Sequence, residues 1–113
     1  MRAENGASGT TVIHPDMKRL DAKTRTDFKE QATAFVLPGA KLVLDLSGVE
    51  FIDSSGLGIL LTLLRQLDEN GGDLRIAAPS RVVAALFKMT RMNRVFEIFP
   101  DIAAAVASFT PLK

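Results

Sequence analysis

The residues best suited to chemistry in this chain of 113 residues are two adjacent serines, Ser54 and Ser55, within the sequence DSSGLG at residues 53–58. A short apolar run precedes them and a long apolar stretch with helical spacing follows them. Amide groups at a helix N-terminus lack intrahelical partners and the helix dipole is positive there, so this position favours an anion. A serine there can bind an anion, carry a phosphate group or cap the helix, and capping is the commonest of these roles.

The residues around the serines also have alternative roles. Gly58 is expected to let the helix pack closely on the sheet, whereas Gly56 is expected also to keep a partner surface clear. Asp53 could do no more than end the preceding strand. Leu57 fits either the core or an exposed contact, and its helical spacing favours the core.

The elements that must position these serines alternate between strands and helices. Strands are predicted at residues 10–14, 42–46, 73–78 and 95–99, with helices in the intervals and after the last strand. This order predicts parallel strand pairs with right-handed crossovers. The predicted fold is therefore a single α/β domain with a central four- to five-stranded mixed or parallel sheet and about four helices. Residues 1–9 are expected to be a loose segment or a weak edge strand, and residues 10–113 to form the domain.

Several residues predict where the helices begin, end and pack. Thr24 with Asp27 resembles a capping pair for the first helix, which Pro38-Gly39 is expected to stop. Ser80 and Asp101 are expected to cap the third and fourth helices. Four side chains of the third helix are predicted to face inward: Val82, Val83, Leu86 and Phe87. Asn93 is predicted to end this helix in a left-handed conformation.

Composition excludes several classes of site. The chain has no cysteine and a single histidine, His14, which excludes a disulfide framework, a thiolate site and a histidine metal cluster. A net charge of +1 gives no steering toward nucleic acid or an anionic membrane. No apolar run approaches the length that spans a bilayer. We therefore expect a cytoplasmic protein without a metal or cofactor.

Two other chemistries can be weighed against the serine pair. A serine hydrolase needs a base near its nucleophile, and His14 is the only candidate; the Gly-x-Ser-x-Gly elbow is also absent, which argues against this class. An anion- or nucleotide-binding module could cradle a phosphate on the backbone amides of residues 54–58, but no Walker lysine follows. That alternative stays open.

The segment at residues 51–58, FIDSSGLG, resembles the signature of the STAS domain of the anti-sigma factor antagonists. Upstream, residues 19–22 (RLDA) resemble the family's Leu-Asp motif, and residues 86–87 and 95–96 also resemble the family. The likeness runs from about Val12 to Phe109. One departure is that Met17-Lys18 replace the glycine that often precedes the Leu-Asp motif, and the residues before Thr10 are unusually polar for a first strand.

The resemblance implies a phosphorylation-controlled partner switch. An anti-sigma factor with serine-kinase activity would phosphorylate Ser54, and a serine phosphatase would restore the form that binds the anti-sigma factor and releases a sigma factor. Asp21 would support phosphorylation, although it could equally cap the first helix, while Asp53, Ser55, Gly56 and Leu57 would support phosphorylation or partner binding. ATP belongs to the partner, so the chain is not expected to be an enzyme. It is expected to be a monomer or weak dimer, and a non-switching STAS scaffold or accessory subunit remains the alternative.

Overall fold

Strands and α-helices alternate along residues 1–109, the part of the chain that the computed structural model describes. The seven strands in that part are β1 (Arg2–Asn5), β2 (Thr10–His14), β3 (Arg19–Leu20), β4 (Lys41–Asp45), β5 (Phe51–Ile52), β6 (Asp73–Ala77) and β7 (Glu97–Phe99). The four α-helices there are α1 (Arg25–Thr33), α2 (Ser54–Glu69), α3 (Arg81–Met89) and α4 (Ile102–Ala107). The predicted domain end at residue 113 lies outside the described residues.

Five of the strands form one sheet in the order β1-β2-β4-β6-β7. The pairs β2–β4, β4–β6 and β6–β7 are parallel, and β1 is antiparallel to β2. The predicted α/β class with a mixed sheet is therefore confirmed. β4 lies in the middle of the sheet because its alternate side chains, Leu42 and Leu44 on one face and Val43 on the other, are all buried.

The helices are divided between the two faces of this sheet. Side chains of α1, α2 and α3, including Phe28, Leu60 and Phe87, join the larger core cluster on one face. Ala105 of α4 joins the smaller cluster on the opposite face, with Val43. This layered packing holds the N-terminus of α2 at the end of the sheet where the parallel strands finish.

The polar segment before Thr10 contains β1, which pairs with β2 over its whole length, from Arg2 opposite His14 to Asn5 opposite Thr11. All four of its side chains are exposed, because β1 is an edge strand that contributes backbone hydrogen bonds rather than apolar surface to the fold. Residues 2–5 are therefore the edge strand that was one of the two possibilities for the first nine residues, and residues 7–9 form a short 3₁₀ helix. Their polar composition concealed the strand.

Two predicted caps are confirmed and three local predictions are wrong. Ser80 and Asp101 accept hydrogen bonds from the amides of Val83 and Ala104, as N-caps do. The left-handed residue after α3 is Arg91, with φ 60°, and not Asn93. Two further corrections concern the ends and faces of helices: α1 ends at Thr33, ahead of Pro38, and Val82 is 64% exposed rather than inward.

A polar cluster, in which His14 and Asp45 are buried and Glu4 is exposed, ties β1 to the centre of the sheet. Nδ1 of His14 lies 2.6 Å from Oδ2 of Asp45, and Nε2 lies 2.7 Å from Oε1 of Glu4. Burial by itself would raise the pKa of Asp45, but hydrogen bonds from the Ser47 amide and from His14 hold that pKa below its ordinary value. The folded state therefore favours the ionised form of this carboxyl group.

Acid should remove the stability that Asp45 contributes. A carboxyl group whose pKa is lower in the folded protein stabilises the fold above its unfolded pKa, here near 3.8, and loses that contribution as the pH falls through the folded pKa. We expect the free energy of unfolding to fall more steeply with acid in the wild-type protein than in Asp45→Asn. Urea denaturation from about pH 7 to about pH 2 measures this, and equal slopes in the two proteins would contradict it.

Candidate functional site

Ser54 is the first residue of α2 and its side chain is exposed. The helix cap is Asp53, whose backbone is extended and whose Oδ1 accepts a hydrogen bond from the Gly56 amide at 2.9 Å. This bond satisfies one of the amide donors of the first turn. The capping role considered for the serines therefore belongs to Asp53. Because the cap is supplied by its neighbour, the hydroxyl of Ser54 is not needed by the fold, and no residue within the described part of the chain makes a side-chain hydrogen bond to it.

Ser55 is the second residue of α2 and is only partly exposed. Both serines lie in the first turn, where the backbone amides have no carbonyl partner within the helix. The positive end of the helix dipole adds to this, so a negative group on Ser54 would be stabilised where it stands. Of the two hydroxyls, the one on Ser54 is better placed for reaction with another molecule.

A small second sheet brings the Leu-Asp motif to the start of α2. Strands β3 and β5 pair in parallel, with Arg19 opposite Phe51 and Leu20 opposite Ile52. The Asp53 amide then donates to the Leu20 carbonyl oxygen at 3.1 Å. This pairing places Asp21, which follows β3, beside Asp53, which follows β5.

Asp21 stabilises the turn before α1. Its Oδ1 accepts hydrogen bonds from the amides of Lys23 and Thr24, at 3.0 and 3.2 Å, and its Oδ2 lies 3.2 Å from Nε of Arg19. Desolvation alone would raise the pKa of Asp21, but the hydrogen bonds from Arg19 and the two amides hold that pKa below its ordinary value. The Thr24 hydroxyl donates to the Arg19 carbonyl oxygen at 2.7 Å and makes no capping bond, so the predicted capping pair with Asp27 does not form.

A polar cleft lies next to Ser54. Asp21 and Asp53 both line it, together with the cationic side chains of Arg19 and Lys23. The sequence predicted the two aspartates but missed both cations. The sequence alone could not place these two cations at the site, because the cleft forms only when β3 pairs with β5.

Of the two glycines of the motif, only Gly56 has the close packing that was expected above all of Gly58. A Cβ atom on Gly56 would lie 2.2 Å from the carbonyl oxygen of Leu20, closer than any real contact. Gly56 is therefore the glycine that lets α2 pack against the sheet, and its backbone is buried. Gly58 is exposed and a Cβ atom there would meet nothing within 4 Å, so the packing role predicted for it is wrong.

An apolar groove lies between α3 and β5, the strand that ends two residues before Ser54. Three of its lining residues are large exposed hydrophobics: Phe51 is 37%, Val82 64% and Met89 81% exposed. The guanidinium carbon of Arg19 lies 4.4 Å from the centre of the Phe51 ring, so the groove and the polar cleft meet at this pair. Leu57, by contrast, is 8% exposed and belongs to the core. The sequence signal for the groove was an apolar pattern on α3 too wide for one buried face.

Comparison with known families finds a match that spans both the serine motif and most of the fold. A family model described as the STAS domain matches residues 4–105. The chain belongs to the STAS domain family.

Two curated relatives show what this STAS domain is similar to. A protein of Thermotoga maritima, provisionally assigned as an anti-sigma factor antagonist, is 32% identical over 66 residues, and the match spans 58% of this chain and 58% of that protein's length. The anti-sigma-B factor antagonist of Bacillus subtilis is 25% identical over 79 residues, covering 70% of this chain and 72% of that protein.

Solved structures give the same likeness. The anti-sigma factor antagonist of Mycobacterium paratuberculosis has a TM-score of 0.80 at 25% identity, covering 95% of this chain and 90% of that one. The unphosphorylated form of the anti-sigma factor antagonist SpoIIAA has a TM-score of 0.72 at 20% identity, covering 99% of this chain and 98% of that one. The phosphorylated form of SpoIIAA from Bacillus has a TM-score of 0.68 at 18% identity, covering 96% and 98%. At these identities the likeness to SpoIIAA concerns the fold alone.

In this STAS domain His14 is engaged by carboxylates rather than by Ser54. Both ring nitrogens of His14 face carboxylates, Asp45 and Glu4, and within residues 1–109 no hydrogen bond joins the ring to Ser54. The described residues also contain no group of three or more side chains suited to hold a metal ion. No helix among them is long and apolar enough to cross a membrane.

The contrast between the two glycines gives a stability prediction. Gly56→Ala should destabilise the domain by about 2 kcal/mol, because the new methyl group must push β3 away from α2. Gly58→Ala is the matched control and should stabilise it by roughly 0.5–1 kcal/mol, since alanine is the better helix former and meets open space. Chemical denaturation of the two variants measures both effects, and the reverse order would show that the closely packed glycine has been misassigned.

Proposed function

We propose that this STAS domain is an anti-sigma factor antagonist that works as a phosphorylation-controlled partner switch. In its unmodified form it binds an anti-sigma factor that is also a serine kinase, and a sigma factor is released. Phosphorylation of Ser54 ends this binding, and a serine phosphatase restores it. ATP and the catalytic groups belong to the partner, so this chain acts as substrate and ligand rather than as an enzyme. The exchange of partners takes place in the cytoplasm.

The observation that carries the proposal is an exposed hydroxyl at a helix N-terminus beside an unpartnered apolar groove. Ser54 is exposed and its neighbour Asp53 supplies the helix cap. Exposed hydrophobic side chains such as Val82 and Met89, in a groove that meets the polar cleft at Phe51, are typical of a protein-binding surface. The names of the relatives support the same function.

The chemical step is a simple phosphoryl transfer. Oγ of Ser54 forms a bond to the γ-phosphorus of the partner's ATP, the bond from that phosphorus to the β,γ-bridging oxygen breaks, and ADP leaves with the electron pair. The hydroxyl proton passes to a base of the partner. Dephosphorylation is a separate hydrolysis: the phosphatase directs water to the phosphorus, the bond from that phosphorus to Oγ breaks, and the serine hydroxyl and inorganic phosphate are the products.

The phosphate should act at the interface rather than on the fold. It adds about −1.5 to −2 charges, and a helix N-terminus stabilises such a group by roughly 0.3–1 kcal/mol. In a complex, however, the dianion would be desolvated beside Asp53 and Asp21, whose two negative charges already offset the cations Arg19 and Lys23 of the same cleft, so the added charge has no further cation there. Juxtaposed like charges in an interface cost several kcal/mol, and about 4 kcal/mol corresponds to roughly a thousandfold in affinity.

Phosphorylation should therefore abolish binding and leave the fold intact. After incubation with a candidate anti-sigma kinase and ATP, we expect mass spectrometry to locate the phosphate on Ser54. Calorimetry should show a loss of affinity of about a thousandfold, while the melting temperature changes little. Ser55→Ala is the matched control and should still accept the phosphate, whereas Ser54→Ala should bind the partner and remain unmodified.

Two outcomes would contradict the switch. A stable complex in which Ser54 is never modified indicates a scaffold. A large drop in the melting temperature of the phosphorylated protein, or of Ser54→Asp, indicates that the charge acts by unfolding the domain.

The groove predicts a second effect on the complex. Met89→Glu and Val82→Glu should each weaken binding to the anti-sigma factor by about 10- to 100-fold, because a hydrophobic side chain buried in an interface contributes roughly 1.5–3 kcal/mol. Val95, which is 46% exposed and does not line the groove, provides the control substitution Val95→Glu. Equal affinities for all three variants would exclude the groove from the interface.

A further inference from the structure

Gly58 occupies a position that the fold alone does not explain. It lies inside α2, where glycine costs roughly 0.5–1 kcal/mol relative to alanine. Its backbone is helical, without the positive φ found at Gly39 and Gly71. A Cβ atom on Gly58 would meet nothing within 4 Å, whereas one on Gly56 would collide with Leu20. The missing side chain at Gly58 therefore serves neither packing nor backbone conformation within the described part of the chain.

The position of Gly58 relative to Ser54 suggests what the missing side chain does. The two residues are four apart, so they share one face of α2 and their Cβ positions are about 5–6 Å apart. Side chains on a helix lean toward its N-terminus and cover the preceding turn. Any side chain at position 58 would therefore lean over the turn that carries the Ser54 hydroxyl.

We propose that Gly58 determines access to Ser54. It leaves one turn of α2 bare, so that the active-site residues of another protein can reach Oγ of Ser54 closely enough for reaction, which requires about 3–3.5 Å between reacting atoms. The same bare turn serves the kinase, whose ATP phosphorus bonds to Oγ as ADP departs, and the phosphatase, whose water displaces Oγ from that phosphorus. This inference rests on the proposed function in taking Ser54 as the acceptor.

Access can be measured without any partner, because the chain has no cysteine. Ser54→Cys places a single thiol at the site, and its rate of labelling is measured with small iodoacetamide and with a bulky fluorescein maleimide. The ratio of the bulky to the small rate reports steric access and cancels most of any change in the thiol pKa. Adding Gly58→Gln should lower this ratio about tenfold, which corresponds to roughly 1.4 kcal/mol in the barrier.

Two further variants complete the labelling experiment. Glu69→Gln in the Ser54→Cys background puts the same side chain on an exposed site at the far end of α2 and should leave the ratio unchanged. Gly58→Ala adds only a methyl group, is expected to fold at least as stably as glycine at this site, and should lower the ratio by a smaller factor than glutamine does. A ratio that is equal in all four proteins overturns the inference.

Measuring the rate of phosphorylation by a kinase separates this inference from the proposed function. With Ser54 present, Gly58→Gln should reduce kcat/KM for phosphorylation by about a hundredfold, as expected when a reacting group is misplaced by an ångström, while Glu69→Gln should not. If labelling is blocked but no kinase modifies the wild-type chain, the access role stands and the switch fails. If Gly58→Gln is phosphorylated as fast as the wild-type protein, the access role fails and the switch stands.

Discussion

The contact between the first turn of α2 and the backbone of Leu20 is the constraint on which the site depends. The Leu20 carbonyl oxygen accepts a hydrogen bond from the Asp53 amide. The same oxygen lies so close to Gly56 that a Cβ atom there would collide with it. Only glycine allows the helix to begin this close to the strand. The same few atoms thus pair β3 with β5, set the direction of α2, bring Asp21 beside Asp53 and turn Ser54 toward solvent. A shift of this contact would move every part of the site together.

Reaction and recognition use two surfaces that meet at one pair of side chains. The polar cleft carries two carboxylates and two cations, whereas the groove between β5 and α3 is almost entirely apolar. Arg19 belongs to the cleft and stacks on Phe51 of the groove. Because the exposed side chains of both surfaces lie outside the core, they can change without disturbing the packing of Leu57 or Leu60. This separation explains how a charge can be added at Ser54 while the fold is maintained.

The parts of the structure that short-range patterns control were predictable from the sequence. The apolar run of β4, the caps at Ser80 and Asp101 and the alternation of elements all depend on residues within a few positions of one another. The strands β3 and β5 have two residues each and exist only as a pair, so no periodicity revealed them. The packing role was wrongly expected of Gly58 for a similar reason: the neighbour that distinguishes Gly56 from Gly58 is Leu20, far away along the chain. Val82 was misplaced because an apolar residue on a partner-facing surface has the same pattern as one in the core.

The exposed, polar character of β1 has a consequence for how copies of the protein meet. An edge strand presents unpaired amide and carbonyl groups on its outer side, and these can template the addition of a strand from another molecule. Here that edge carries the charged residues Arg2 and Glu4, and the opposite edge, β7, is only three residues long and includes the exposed Glu97. Charged side chains and short edges both oppose sheet extension. The polarity that hid β1 in the sequence is therefore also a defence against aggregation.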